Sequence, residues 1–330
     1  MNQLAYTLVT ISFIVGLFGI IGCTGNEEQE RFSINTNEAR IATLLVAASD
    51  SCENSKAQAD SVCDGINDNM EIQAAINDLP ISGGEVLLLE GSYSISDTIK
   101  ILRSNVTIRG ICGATKLTLA NGNSCTVIQI GNGMVTAQNN QIVDIVIDGN
   151  KANQSAGYGI HLYGGSPIIA GYNNIIRVKL TNVCDAGIYL QLACDHSYIH
   201  NCIIDNSGGD GIRNMSSLIS FYYNLFSSNG QNGLYSSGNR CHIIANTCNR
   251  NSQGMGNTHD GIRLYNAERN VVTGNICSDK QDIATQRYGI SLQNSGCEDN
   301  IVTNNMLKSN ATGGLNDNGT NTVKANNIEP

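Results

Sequence analysis

The sequence predicts an all-β fold, a three-sided parallel β-helix entered through one short capping helix, and three observations carry that expectation. A Gly-Ile-x-Leu phrase or close variant begins at Gly159, Gly187, Gly211, Gly233, Gly261, Gly289 and Gly314, at intervals of 28, 24, 22, 28, 28 and 25 residues. A second phrase, an apolar alternation around an asparagine, keeps step with it at Asn201, Asn224, Asn246, Asn275 and Asn305, at intervals of 23, 22, 29 and 30. The composition agrees: 35 Gly and 43 Asn against 3 Pro and no Trp describe tight turns at φ > 0 joining short apolar strands.

A period of this length is one coil of a solenoid whose neighbouring coils bury a shared core. Within the repeats the apolar residues alternate with period two and no segment shows a 3.6 period, which excludes leucine-rich and helical solenoids. Like residues then stack on like residues at the strand spacing of about 4.8 Å. Asparagines stacked in this way bond to one another as a ladder that holds turns and does no chemistry.

The chain opens on 22 uncharged residues, with an apolar run from Leu4 to Ile21 that ends in Ile20-Ile21-Gly22-Cys23. That ending resembles a lipobox, implying a signal peptide cleaved before a lipidated Cys23; an uncleaved membrane anchor is the alternative, since the n-region has no Lys or Arg. Residues 23–40 then form a polar tether, and residues 41–330 a single domain outside the cytoplasm, held at the cell surface. Apart from Cys23 there are eleven cysteines. An odd number leaves at least one thiol free or intermolecular, and Cys52 with Cys63 is the expected disulfide. No cysteine or histidine spacing matches a zinc motif.

One helix precedes the solenoid. Asp68 and Glu71 read as a capping box, Ile72, Ala75, Ile76 and Leu79 follow at amphipathic spacing, and Pro80 ends it. The open end of a β-helix exposes core and unpaired strand groups, so a helix over residues 68–79 is placed to cover it. EVLLLEG, SYSISDTIKILR and SNVTIRG form the first coils, and the helix runs on to about residue 328.

The stretch DGINDNMEIQAAINDLPISGGEVLLLEGSYSI followed by SNVTIRG resembles the start of pectate-lyase-like proteins. The repeats from Gly159 onward are similar to the repeats of the same superfamily, across roughly residues 41 to 328. The resemblance implies a right-handed parallel β-helix. It leaves the function open, because the superfamily holds lyases, hydrolases, epimerases, tail spikes and non-enzymatic adhesins.

If the Ile and Leu of Gly-Ile-x-Leu point inward, the residue between them points out. That slot reads His161, Tyr189, Arg213, Tyr235, Arg263 and Ser291. Tyrosine faces stack on sugar rings and guanidinium groups engage carboxylates or hydroxyls, so His161, Tyr189 and Tyr235 are candidate substrate-binding residues. The catalytic candidates are Asp210, Asp260, His259, Arg213 and Arg263. Each Asp precedes a repeat glycine and an Arg follows three residues on. Two coils apart, the aspartates fall about 9.6 Å from each other, near the carboxylate separation of an inverting glycosidase. His259 adjoins Asp260 as a further acid or base. The competing reading gives both aspartates to turn amides.

The polygalacturonase motif set and the alginate-epimerase DPH motif are absent, and Cys194-Asp195-His196-Ser197 only faintly echoes a pectate-lyase motif. No dedicated metal site is expected, although calcium is a candidate cofactor through Asp185, Asp195 and Asp205. A net charge of -9 with no basic stripe excludes nucleic acid as a partner. The expected function is therefore binding of an acidic polysaccharide at the cell surface, with its cleavage or modification by a lyase, epimerase or hydrolase reaction left open by the sequence. The alternative is a non-catalytic surface or envelope protein.

Overall fold

The computed structural model describes residues 42–330. The leader, the lipidation of Cys23 and the 23–40 tether lie outside the described residues. Among these, no helix is long and apolar enough to cross a membrane.

The strands run parallel in three sheets of twelve, eight and nine strands, here sheets A, B and C. Each coil visits them in that order; one coil contributes Gln141–Val143 to A, Val146–Asp148 to B and Ile160–Leu162 to C. The Gly-Ile-x-Leu phrases all lie in sheet C. Their apolar residues stack in register as Ile160, Ile188, Ile212, Leu234, Ile262, Ile290 and Leu315. The first six are fully buried, so this column is one wall of the core.

Two residues turn the chain from sheet A to sheet B. The first adopts φ > 0, at Asp144, Arg177, Asn201, Tyr223, Ala245, Gly274 and Asn304. A left-handed residue other than Gly costs ~1–2 kcal/mol, and the second residue of the corner offsets it. That residue points inward in the sequence Cys202, Asn224, Asn246, Asn275, Asn305. The amide of Asn224 donates to Asn246 Oδ1 at 3.0 Å, that of Asn246 to Asn275 Oδ1 at 2.9 Å, and that of Asn275 to Asn305 Oδ1 at 2.9 Å. Each Nδ2 also donates to a carbonyl of the preceding coil, as Asn246 does to Phe221. The expected ladder exists, with one correction: Asn201 takes the left-handed position, and Cys202 fills the rung, its amide donating to Asn224 Oδ1.

The solenoid begins one coil earlier than the sequence suggests. Thr43–Ala47 pairs in parallel with Gly84–Leu88, and Ser61–Val62 lies on its outer side. The capping helix spans Asn69–Asp78 and buries Ile72, Ala75 and Ile76, with Leu79 buried just beyond it. It lies along the first strand of sheet C, Ile99–Ile101. There Gln73 imitates a strand: its Oε1 accepts the Lys100 amide at 2.7 Å and its Nε2 donates to the Lys100 carbonyl at 3.0 Å.

Two expectations fail at this end. The capping box does not form, because Asp68 has helical dihedrals and its carboxylate accepts the Gly65 and Ser94 amides instead of its own helix. The Cys52 and Cys63 thiols are both free. Cys63 packs in the core whereas Cys52 is exposed beside Ser55, so the two sulfurs occupy different environments.

Candidate functional site

Sheet C presents the outward slot as an unbroken row. His161, Tyr189, Arg213, Tyr235, Arg263 and Ser291 are registered neighbours on successive strands. Around the middle of this row lies a cavity of about 390 Å³ lined by Tyr189, Asp210, Arg213, Gln231, Tyr235, His259 and Arg263, among others. The structure thus gathers four of the five catalytic candidates and both tyrosines around one cavity, with Asp260 behind it, paired to Arg263. The loops inserted in two coils are tied together by the Asn257 amide to the Thr285 carbonyl and by Gln253 to Thr285 Oγ1, and of their residues His259 lines this cavity. A larger hollow of about 620 Å³ lies at Asn249, Arg250 and residues 280–283, and it has no aromatic lining.

Asp210 lies at the cavity and Asp260 behind it, and neither exposes any surface. They belong to a second ladder. Asn232 donates its amide and Nδ2 to Asp210 Oδ1 at 3.0 and 2.7 Å, and the Asp260 amide donates to Asn232 Oδ1 at 2.8 Å. The remaining oxygen of Asp210 accepts Arg213 Nε at 2.8 Å. Asp260 accepts Arg263 Nε at 2.6 Å and both Nε and Nη2 of Arg287, at 2.9 and 3.0 Å. The space between the carboxylates, which an inverting glycosidase reserves for water, is filled by Asn232.

These aspartates hold guanidinium groups in place. Arg213 bonds Asp210 and Gln231 and keeps 41% of its side chain exposed, with its guanidinium carbon 5.9 Å from the Tyr235 ring centre. Arg263 is deeper, its Nη2 donating to the Thr258 carbonyl. His259 contributes a buried Nδ1 that has no hydrogen-bond partner. Burial first and the Arg263 charge second hold its pKa below the ordinary imidazole value, so the ring is neutral and able to take a proton at neutral pH. Burial raises the phenol pKa of Tyr189 and Tyr235, which stay protonated.

His161 stands apart from the cavity. Its ring is stacked between Tyr163 at 5.0 Å and Tyr189 at 4.9 Å, its Nε2 meets Gln191 Oε1, and burial pushes its pKa down to about 4. The ring stacks on both tyrosines and does not line the cavity. Tyr158 leans on His161 and Tyr189.

Sequence reasoning missed Tyr158, Gln231 and Arg287. The signal for two of these was present: the second position before each repeat glycine reads Gln231, His259 and Arg287 on successive coils. The expected calcium ligands do not converge, since Asp185 accepts the Gly157 amide and Asp195 the Ser217 amide. Among the described residues, one trio of His, Cys, Asp or Glu brings its ligand atoms within 4.8 Å of one another, and it is Cys63, Asp68 and Glu71.

Comparison with known proteins bears on the fold. The family model described as right handed beta helix region matches residues 93–249 and again 170–328. The chain belongs to this family. Among solved structures, the right-handed β-helix is similar to the enzymatically active domain of tailspike protein 2 of bacteriophage CBA120, with a TM-score of 0.64 and 14% identity over 78% of this chain and 39% of that one. ORF18 of Geobacillus virus E2 gives a TM-score of 0.55 and 14% identity, covering 78% of this chain and 56% of that one. DFA-IIIase from Arthrobacter chlorophenolicus A6, solved in complex with GF2, gives 0.54 and 13% identity, covering 80% and 70%. The chain therefore spans little more than half, or less, of the two viral proteins. No curated protein matches the sequence.

Proposed function

We propose that this β-helix binds an acidic polysaccharide along sheet C and modifies it at the cavity beside His259, at the cell surface. The observation that carries this reading is the convergence of Arg213, two tyrosines and a neutral His259 on one cavity. The fold neighbours include an enzymatically active tailspike domain and a DFA-IIIase, which is in keeping with action on a glycan.

The arrangement suits removal of the proton beside a uronate carboxylate. Arg213, partly exposed, pairs with that carboxylate and acidifies the adjacent carbon; the His259 imidazole takes the proton; Tyr235 or Tyr189, still a phenol, donates one. Elimination results if the donated proton goes to the glycosidic oxygen, and epimerisation if it goes to the opposite face of the carbon. In this reading Asp210 and Asp260 are positioning residues that aim Arg213 and Arg263, and the hydrolytic pairing of the two carboxylates is the less favoured mechanism.

The test is incubation of the purified protein with acidic and neutral glycans, with and without calcium. Acidic glycans should turn over. His259→Ala should lower kcat by ~10²–10⁴ with little change in affinity, while Arg213→Ala should weaken binding. Binding without turnover, unchanged in both variants, would move the function to adhesion.

A further inference from the structure

The capping end holds a second cluster that the groove does not use. Ligand atoms of Cys63, Asp68 and Glu71 lie within 4.8 Å of one another, on the turn and helix that close the core. Cys63 is 3% exposed and Asp68 fully buried. Each Asp68 oxygen accepts one backbone amide, from Gly65 at 2.8 Å and Ser94 at 2.7 Å, which leaves a lone pair on each. Glu71 Oε2 is buried with no partner, and among the described residues no hydrogen bond reaches the Cys63 sulfur.

Nothing cationic answers these groups: none of the ion pairs among the described residues includes Asp68 or Glu71. Burial, with Asp68, Glu71 and Asp64 beside it, pushes the Cys63 thiol up to about 12, and burial also raises the Asp68 carboxyl. A thiol and a carboxylate packed out of water, facing the buried oxygen of a second carboxylate with no opposing charge, are costly, and a proton or a metal cation relieves the cost.

The donor set selects among cations. Calcium and magnesium take oxygen ligands throughout, copper(I) favours thiolate and thioether, and one sulfur with two carboxylates in a confined space suits tetrahedral zinc with water in the fourth position. We propose that Cys63, Asp68 and Glu71 bind one zinc ion that fastens the capping helix to the first coils. Asp68 already bonds the Gly91–Ile95 strand through Ser94, so the ion would tie that strand to the helix and to the turn after Ser61–Val62. Binding displaces the thiol proton to solvent, so affinity falls with falling pH.

The full chain, stripped with chelator, should take up one zinc per molecule and melt at a higher temperature, with calcium and magnesium having no such effect. Cobalt(II) in place of zinc should give a thiolate charge-transfer band. Cys63→Ser should lose that band and Glu71→Gln the stoichiometric uptake, while Cys52→Ser, at an exposed thiol, should keep both. The wild-type cobalt band reports on the site even if a variant fails to fold. Absence of stoichiometric zinc in the wild type, or a band that survives Cys63→Ser, overturns the proposal.

Discussion

The corner between sheets A and B and the corner between sheets B and C are built with the same device and differ in charge. At the first, neutral asparagines bond in a column, with two residues per turn and no insertion. At the second, a neutral column through Asn229, Asn251 and Gln286 is joined by a further one of Asp210, Asn232 and Asp260, the loops lengthen, and Arg213, Arg263 and Arg287 gather on the two carboxylates. Replacing Asn by Asp turns a stabilising ladder into a mount for guanidinium groups. The groove's cations are therefore held from inside the solenoid.

The sharpest way to break this comparison is to put the charge where no Arg can answer it. Asn246 is fully buried; its side chain accepts the Asn224 amide and donates to the Phe221 carbonyl and Asn275 Oδ1. Asn246→Asp loses both donations and buries an unpaired carboxylate, so we expect a loss of about 4 kcal/mol in urea unfolding. A loss below about 1 kcal/mol would mean that the solenoid tolerates carboxylate rungs without arginines.

The same contrast explains what was legible in the sequence. The Gly-Ile-x-Leu period fixed sheet C in register because both its apolar residues face the core, and Arg213, Tyr235 and Arg263 followed from the slot between them. The A–B corner was legible to within one residue, since Asn201 and Cys202 are adjacent and only the left-handed backbone tells them apart. The buried column through Asn232 was not legible, because an inward polar residue at a corner breaks the period-two pattern that sorts inside from outside. Likewise Asp68 had the right spacing for a capping box and went to the Ser94 amide of a distant strand, a choice that tertiary contact makes.

A second difference between the regions is titration. The asparagine ladder carries no ionisable group, whereas the groove side holds His161, pushed down to about 4 by burial. An unfolded imidazole titrates near 6.5, so between about pH 4 and 6.5 the unfolded chain binds a proton that the folded chain refuses. The contribution is full above pH 6.5 and is lost as the pH falls towards 4, by up to about 3 kcal/mol. His161→Phe keeps a ring between Tyr163 and Tyr189 and removes the titration. Urea unfolding at pH 6.5 and 4 should show the wild type losing about 3 kcal/mol more than the variant. Equal losses in the two proteins would mean that His161 is protonated in the folded state.

The smallest expected effect concerns another place where a side-chain amide stands in for a strand. Gln73, on the capping helix, bonds both the amide and the carbonyl of Lys100, the middle residue of the strand that starts sheet C. The ladders act between coils; Gln73 acts between a helix and a coil, at a half-exposed position where water can replace it. Gln73→Ala should therefore cost only about 1 kcal/mol, at the level of a solvent-exchangeable hydrogen bond. The urea midpoint should shift without a change in slope, because the surface exposed on unfolding is the same. Hydrogen exchange gives the decisive reading: the Lys100 amide should lose protection while the amides of Ile188 and Ile212, deep in sheet C, keep theirs. If Lys100 stays protected, the helix covers the edge by packing Ile72 and Ile76 alone, and the imitation of a strand by Gln73 has no energetic part in closing the solenoid.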